Sequence, residues 1–200
     1  MTELEAVNML LKAIGTRRVN SVDNQQPKVL SAKEILDRAR NKIQFRGWWF
    51  NIKYNVPYTP DPITKRVTLG DTIHSIVFET PYVTKRGTFA FDRANNTYQF
   101  ECDLMGYRQI ELLEWTELPS NVQQYIAYIA AAEFVRDEIE DLKKEQVYKI
   151  DAGLLMIDIK KQDLEEGRYN VFENKRVQQA RAGVQPYSRN NKRFHGDPDV

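Results

Sequence analysis

Gln44-Phe45-Arg46-Gly47-Trp48-Trp49-Phe50-Asn51 joins the end of an amphipathic helix to an aromatic-rich alternating run, with a single glycine between them. Upstream, Ser31 and Glu34 have the S-x-x-E spacing of a capping box, and Leu30 and Ile35 are placed as its hydrophobic staple. Ile35, Leu36, Ala39 and Ile43 follow at helical spacing. Gly47 is expected to end that helix, because only glycine takes the left-handed cap conformation without a Cβ penalty. Downstream, Trp48, Phe50, Ile52, Tyr54 and Val56 alternate with Trp49, Asn51, Lys53 and Asn55, the period of a half-buried strand over 48–56.

Towards the N-terminus, Thr2 and Glu5 form a second capping box, and Leu4, Val7, Leu11 and Ile14 recur at helical spacing before Gly15. Residues 16–30 read as a polar connection, so the chain opens with two helices. Between Trp48 and Trp115 the pattern changes to short alternating runs broken by Pro57, Pro60, Pro62, Gly70, Pro81, Gly87, Asn95-Asn96 and Gly106. Candidate strands are 48–56, 65–69, 74–79, 88–92, 97–101 and 107–114. The Phe89–Asp92 and Thr97–Phe100 runs flank an Arg-Ala-Asn-Asn connection whose asparagines tolerate positive φ, which predicts a hairpin.

Helical periodicity returns at Pro119, a residue suited to a first helical position, and Val122, Ile126, Ile129, Ala130, Ala131 and Phe134 line an apolar face. In the following helix Val147, Ile150, Leu154, Ile157 and Leu164 fall at alternating spacings of three and four, with Lys161 out of pattern. The two helices are expected to form a hairpin around Glu140–Lys144. The predicted fold class is α+β: a four-helix bundle interrupted by an antiparallel β-rich insertion, with an extended C-terminal tail. The corresponding divisions are 1–47 with 119–167 for the bundle, 48–118 for the β-rich lobe, and 168–200 for a basic, partly aromatic arm.

With 42% hydrophobic residues, 200 residues can bury a core. Lys and Arg number 29 against 28 Asp and Glu, so the net charge of +1 gives no global reason to expect nucleic-acid binding. Cys102, the one cysteine, excludes an intrachain disulfide and reads as a small core or strand residue. The first residues lack the pattern of a secretory signal, and no apolar run approaches the roughly 18 residues of a membrane span, so a soluble protein made in a cytoplasm, without membrane contact, is expected.

Catalytic chemistry finds little footing. His74 and His195 belong to no metal-ligand spacing, and no phosphate loop, nucleophile elbow or Cys-His pair is present, so neither an enzyme nor a metal or cofactor site is expected. Glu133, Asp137, Glu138, Glu140 and Asp141 read as a solvated helical face neutralised by Lys143 and Lys144. Trp48, Trp49, Phe50, Tyr54, Tyr58, Trp115, Tyr125 and Tyr128 read as core rather than as a base-stacking platform, since no Lys or Arg interleaves the main cluster. Trp48, Phe50 and Trp115 are the candidate packing residues between the lobes, with Trp49 on the opposite face.

Arg46-Gly47-Trp48-Trp49-Phe50-Asn51, the Phe91-Asp92-Arg93 turn entry and Glu114-Trp115-Thr116-Glu117-Leu118-Pro119, in this order, resemble the tail tubular protein A family, the adaptor proteins of short-tailed bacteriophages. The resemblance runs from about Glu3 to about Glu166. It implies a non-enzymatic virion protein assembled in the host cytoplasm: a dodecameric ring joining the portal to the tail nozzle around the DNA channel, with tail fibres as possible further partners. DNA would pass through the lumen without specific binding. In that family the C-terminal segments embrace the portal, which makes Tyr169, Phe172, Arg176, Arg181, Tyr187, Arg189, Arg193 and Phe194 the candidate portal-binding residues here. The alternative is a small nucleic-acid-binding or regulatory protein whose basic tail contacts phosphates, with binding that falls steeply as salt rises.

Overall fold

The computed structural model describes residues 1–166. Helix α1, Glu3–Ala13, starts as its sequence predicts: Thr2 Oγ1 accepts from Glu5 N at 3.2 Å, and Glu5 Oε2 accepts from Thr2 N at 2.8 Å. It ends in a Schellman arrangement, with Thr16 N donating to Leu11 O at 2.9 Å and Gly15 N to Lys12 O at 3.0 Å. The polar connection that follows is fastened to α1 by Asn8, whose amide exchanges two hydrogen bonds with Val19 at 2.7 and 2.9 Å.

Helix α2 spans Pro27–Gln44, which corrects the expected capping box at Ser31 and Glu34. Pro27 occupies the first turn, where its fixed φ suits the helix and its missing N–H would have been unpaired, so the helix begins five residues earlier. Ser31 lies inside the helix and donates to Glu138 Oε1 at 3.3 Å, while Leu30 is exposed and staples nothing.

The β-rich segment contains β1 (Ile52–Tyr58), β2 (Ile73–Phe78), β3 (Val83–Arg86), β4 (Phe89–Asp92) and β5 (Leu104–Glu111). β5 is the centre of a three-stranded antiparallel sheet, order β1-β5-β2, with Ile52 opposite Ile110 and Tyr58 opposite Leu104. Gly106 sits where the strands crowd: a Cβ there would lie 2.9 Å from Ile76 Cδ1 and 3.3 Å from Val56 O. β1 is an edge strand carrying Pro57, and Asn55 within it has φ of 54°. That left-handed residue breaks the expected alternation, and Tyr54 is exposed.

The expected runs 65–69 and 97–101 contribute only isolated bridges, Arg66 to Gln99, Thr68 to Phe89 and Asp92 to Thr97. The predicted hairpin closes at Asp92 and Thr97, which exchange hydrogen bonds of 2.9 and 3.2 Å, but goes no further because β4 pairs along its length with β3. Cys102 is exposed in the bend before β5, not in a strand or a core. Val67, Leu69, Ile76, Phe78, Ala90 and Leu104 are among the residues that form a small separate core for this segment.

After a single 3-10 turn at Trp115–Glu117, helix α3 runs from Ser120 to Ile139, with Pro119 at its cap rather than at its first position. α3 is buried on nearly every side and packs against α1, α2 and the last helix, α4 (Leu142–Glu166). The α3–α4 hairpin lies where it was expected, turned by Glu140 at φ of 53° and capped by Asp141 Oδ1, which accepts from Lys144 N at 3.0 Å. The chain is thus α+β, with four helices and antiparallel sheets.

One expectation is overturned on α4. Glu145, Ala152 and Ile159 are its buried residues, each seven apart, whereas Val147, Ile150, Leu154, Ile157 and Leu164 face outward at 56–64% exposure. The heptad pattern is real, but α4 carries two apolar faces and α3 covers the other one.

Two turns of the β-rich segment are organised by carboxylates. Asp61 Oδ1 accepts from Thr64 N, Thr64 Oγ1 and Ile63 N, and Asp92 accepts from the Asn95 side chain and from Asn95 N and Ala94 N. Donation by Thr64 N to Asp61, and by the Asn95 amide to Asp92, holds both carboxyls below the ordinary 3.8. The ionised forms therefore stabilise the turns fully above about pH 4, and that contribution fades as pH falls through the lowered folded-state values. Carboxyl carbon NMR titration should place both midpoints below 3.8; midpoints at or above it would show that the turns do not depend on the charge.

Candidate functional site

Where α2 runs out, Gly47 turns the chain at φ of 75° and donates its N–H to Gln44 O at 3.0 Å. The left-handed backbone is what calls for glycine here; a Cβ would also stand 2.7 Å from Ile110 Cδ1 and 2.8 Å from Arg108 Nη2, side-chain ends of β5 that would have to move aside. Residues 48–51 then form a turn instead of the expected strand. Asn51 N donates to Trp48 O at 3.1 Å, and Asn51 Oδ1 accepts from Trp48 N at 2.8 Å. The three rings therefore bunch rather than alternate: Trp49 meets Trp48 edge-on at 6.5 Å and Phe50 at 5.0 Å.

Two buried amides tie this turn to the end of β5. Asn51 Nδ2 donates to Gln44 O at 3.0 Å and to Glu111 O at 2.9 Å, while Asn51 O accepts from Glu111 N at 2.9 Å. Gln44 Nε2 donates to Leu113 O at 3.1 Å, and its Oε1 accepts from Leu113 N at 2.7 Å. These side chains, 0% and 2% exposed, satisfy backbone groups that neither helix nor sheet could pair.

Trp48, 1% exposed, donates its indole N–H to Ile43 O at 2.7 Å, and Arg46 lies 4.5 Å over its ring. Trp115, 4% exposed, donates to Met1 O at 3.0 Å and accepts through its backbone carbonyl from Gln123 Nε2 at 2.7 Å. Both belong to the helical core, with Phe50 and Trp49 partly buried against it. Trp49 N reaches Asp163 Oδ1 at 3.0 Å, which fastens the turn to α4. Arg40 joins α2 to the 3-10 turn through Glu114 Oε2 at 2.7 Å.

The acidic residues near the α3–α4 hairpin are used locally. Glu133 pairs with Lys42 at 3.6 Å and Asp137 with Arg136 at 3.0 Å, so these cations, not Lys143 and Lys144, make the ion pairs. His74 stacks on Phe45 at 4.0 Å. Burial pushes the Tyr58 phenol up, and its hydroxyl donates to Gln109. Among the described residues no cluster of three His, Cys, Asp or Glu could hold a metal ion, and no helix is long and apolar enough to cross a membrane.

The arrangement is a junction that ties the end of α2 to the exit of β5 through buried amides. Gln44 and Asn51 are the residues that sequence reasoning missed, since periodicity assigned Asn51 to a solvent face. Their signal was the pairing of side-chain amides with a glycine-broken helix end, which no spacing rule reads. Tyr169, Phe172, Arg176, Arg181, Tyr187, Arg189, Arg193, Phe194 and His195 lie outside the described residues.

The family model described as tail tubular protein matches residues 4–193. Tail tubular protein A of Klebsiella phage KP34 is 24% identical over 139 residues, covering 68% of this chain and 74% of that protein.

Replacing Asn51 by Ala takes the side-chain donor from Glu111 O and the acceptor from Trp48 N, and should lower stability by about 1–3 kcal/mol in denaturant melts. Trp48→Ala should cost about 3–5 kcal/mol, and Gly47→Ala at least about 1–2 kcal/mol from its left-handed backbone alone. An Asn51→Ala protein as stable as the wild type would refute the clamp.

Proposed function

This chain belongs to the tail tubular protein family, a structural component of phage tails, and from that premise we propose that it forms the adaptor ring between portal and tail nozzle. The observation that carries the proposal is the extent of the family match, residues 4–193, which spans the helices, the β-rich segment and most of the C-terminal arm. The named relative, a tail tubular protein A, points the same way.

In this reading the helices of 1–47 and 119–167 form a ring-building bundle, dodecameric as the family resemblance implies. The β-rich lobe, 48–118, faces the nozzle and any fibres, and the arm 168–200 grips the portal through Tyr169, Phe172, Arg176, Arg181, Tyr187, Arg189, Arg193 and Phe194. The ring surrounds the DNA channel during genome ejection and performs no catalysis. Trp48, Phe50 and Trp115 hold the two lobes at a fixed angle, which a ring needs if identical copies are to close. Repetition then strengthens individually weak contacts, because each docked arm raises the effective concentration of its neighbours.

The test mixes the purified chain with cognate portal particles, with and without residues 168–200, and images the products by negative-stain electron microscopy. An added ring with the full-length chain alone is the expected result. Addition by both forms would move docking from the arm to the helices. No addition by either, together with DNA binding that weakens steeply with salt, would replace the adaptor by a nucleic-acid-binding protein.

A further inference from the structure

The outward face of α4 is a second heptad seam with no partner among the described residues. Val147, Leu154 and Lys161 take one core position of the repeat, and Ile150, Ile157 and Leu164 take the other. Glu145, Ala152 and Ile159, the residues buried against α3, fall at the position that a coiled coil would leave most exposed. At 1.5 Å per residue, the stripe from Val147 to Leu164 runs about 25 Å. Exposed aliphatic stripes of this length mark interaction sites on soluble proteins.

The charges beside the seam decide what can cover it. One flank carries Asp151, Asp158 and Glu165, each seven apart. Two copies of α4 laid antiparallel along the seam would set this acidic flank against itself. Laid parallel and in register, they would set Lys161 against Lys161 within the seam. Both self-pairings place like charges together, which is destabilising, so the seam calls for a different surface.

The same chain offers one. A groove of about 360 Å³ between α2 and α3 has a floor that includes Ala39, Ile43, Ile129 and Ala132. Lys42, Arg136 and Lys149 stand around it, against the single carboxylate of Glu133. Each of the three cations already has a carboxylate within 4.0 Å. An incoming acidic flank would therefore set orientation and register more than affinity, which the aliphatic seam supplies.

We infer that the outward seam of α4 in one copy docks into the α2–α3 groove of the next copy, with Asp151, Asp158 and Glu165 directed towards the Lys42, Arg136 and Lys149 rim. The contact uses two different surfaces of one protomer, so it is head-to-tail, and it propagates until a ring closes. It deepens the adaptor reading and rests on it for the closure, while the contact itself is a claim about two copies in solution.

The test uses the full chain in sedimentation velocity, up to its highest soluble concentration. The wild type should form species larger than a dimer. Leu154→Glu, at an exposed position, and the pair Lys42→Glu with Arg136→Glu should each weaken association by about tenfold or more, with melting temperatures near that of the wild type. Mixing the two variants should give a heterodimer and nothing larger, because one retains an intact groove and the other an intact seam. Wild-type-like association of Leu154→Glu, failure of the two variants to pair, or a wild type monomeric throughout would each overturn the inference. Those results leave the adaptor reading standing if a ring still forms on the portal, whereas self-association without portal docking would sink the adaptor reading and keep the contact.

Discussion

A helix that ends inside a protein leaves carbonyls that water cannot reach, and the junction around Gln44 and Asn51 exists to satisfy them. Five hydrogen bonds there join buried side-chain amides to backbone groups, three with the amide donating and two with it accepting, and the Trp48 indole takes a further carbonyl at the end of α2. Because Glu111, the last residue of β5, bonds to the Asn51 amide and Leu113, two residues beyond, bonds to the Gln44 amide, the end of a helix and the exit of a sheet are set by one network. Neither element could shift without unpairing a buried polar group, a penalty of about 1–3 kcal/mol for each. The aromatic cluster fills the space that this network encloses.

The helices distribute burial unevenly. α3 is surrounded and needs no amphipathic pattern, so its alanines serve close approach while Phe134 and Ile126 fill the gaps. α4 lies against α3 with a narrow contact of Ala152 and Ile159, helped by half-buried Tyr148 and Met156. Its larger aliphatic residues point away. A heptad pattern announces that a stripe will be covered, but it does not say by which chain.

That distinction explains much of what could and could not be read from the residues. Signals confined to one turn were legible: the Thr2–Glu5 box, the glycine stop after α1 and the hinge at Glu140–Asp141 all depend on contacts within a few residues. Ser31 and Glu34 have the same local signature as Thr2 and Glu5, yet Pro27 started the helix earlier and left them inside it. Alternation from Trp48 to Val56 suggested one strand, whereas the Asn51 side chain folded its first residues into a turn. Strand partners were the least legible, since β4 had two competing neighbours of similar character and took β3. The junction was located correctly because it rests on Gly47, but the tie of its amides to the sheet was invisible because Glu111 and Leu113 are 60 and 69 residues away along the chain.

The outer edge of the three-stranded sheet has a bearing on crowding. Among the described residues β1 has no neighbouring strand on one side of its backbone, which in a flat, regular strand would be a template for another chain. Pro57 withholds an N–H from that edge, and Asn55, at φ of 54°, interrupts its extended run. Copies held side by side at high local concentration are thus discouraged from fusing sheet to sheet. Among the described residues the long exposed aliphatic stripe lies on a helix, where geometry limits the number of partners, and the strand that could recruit without limit is blunted.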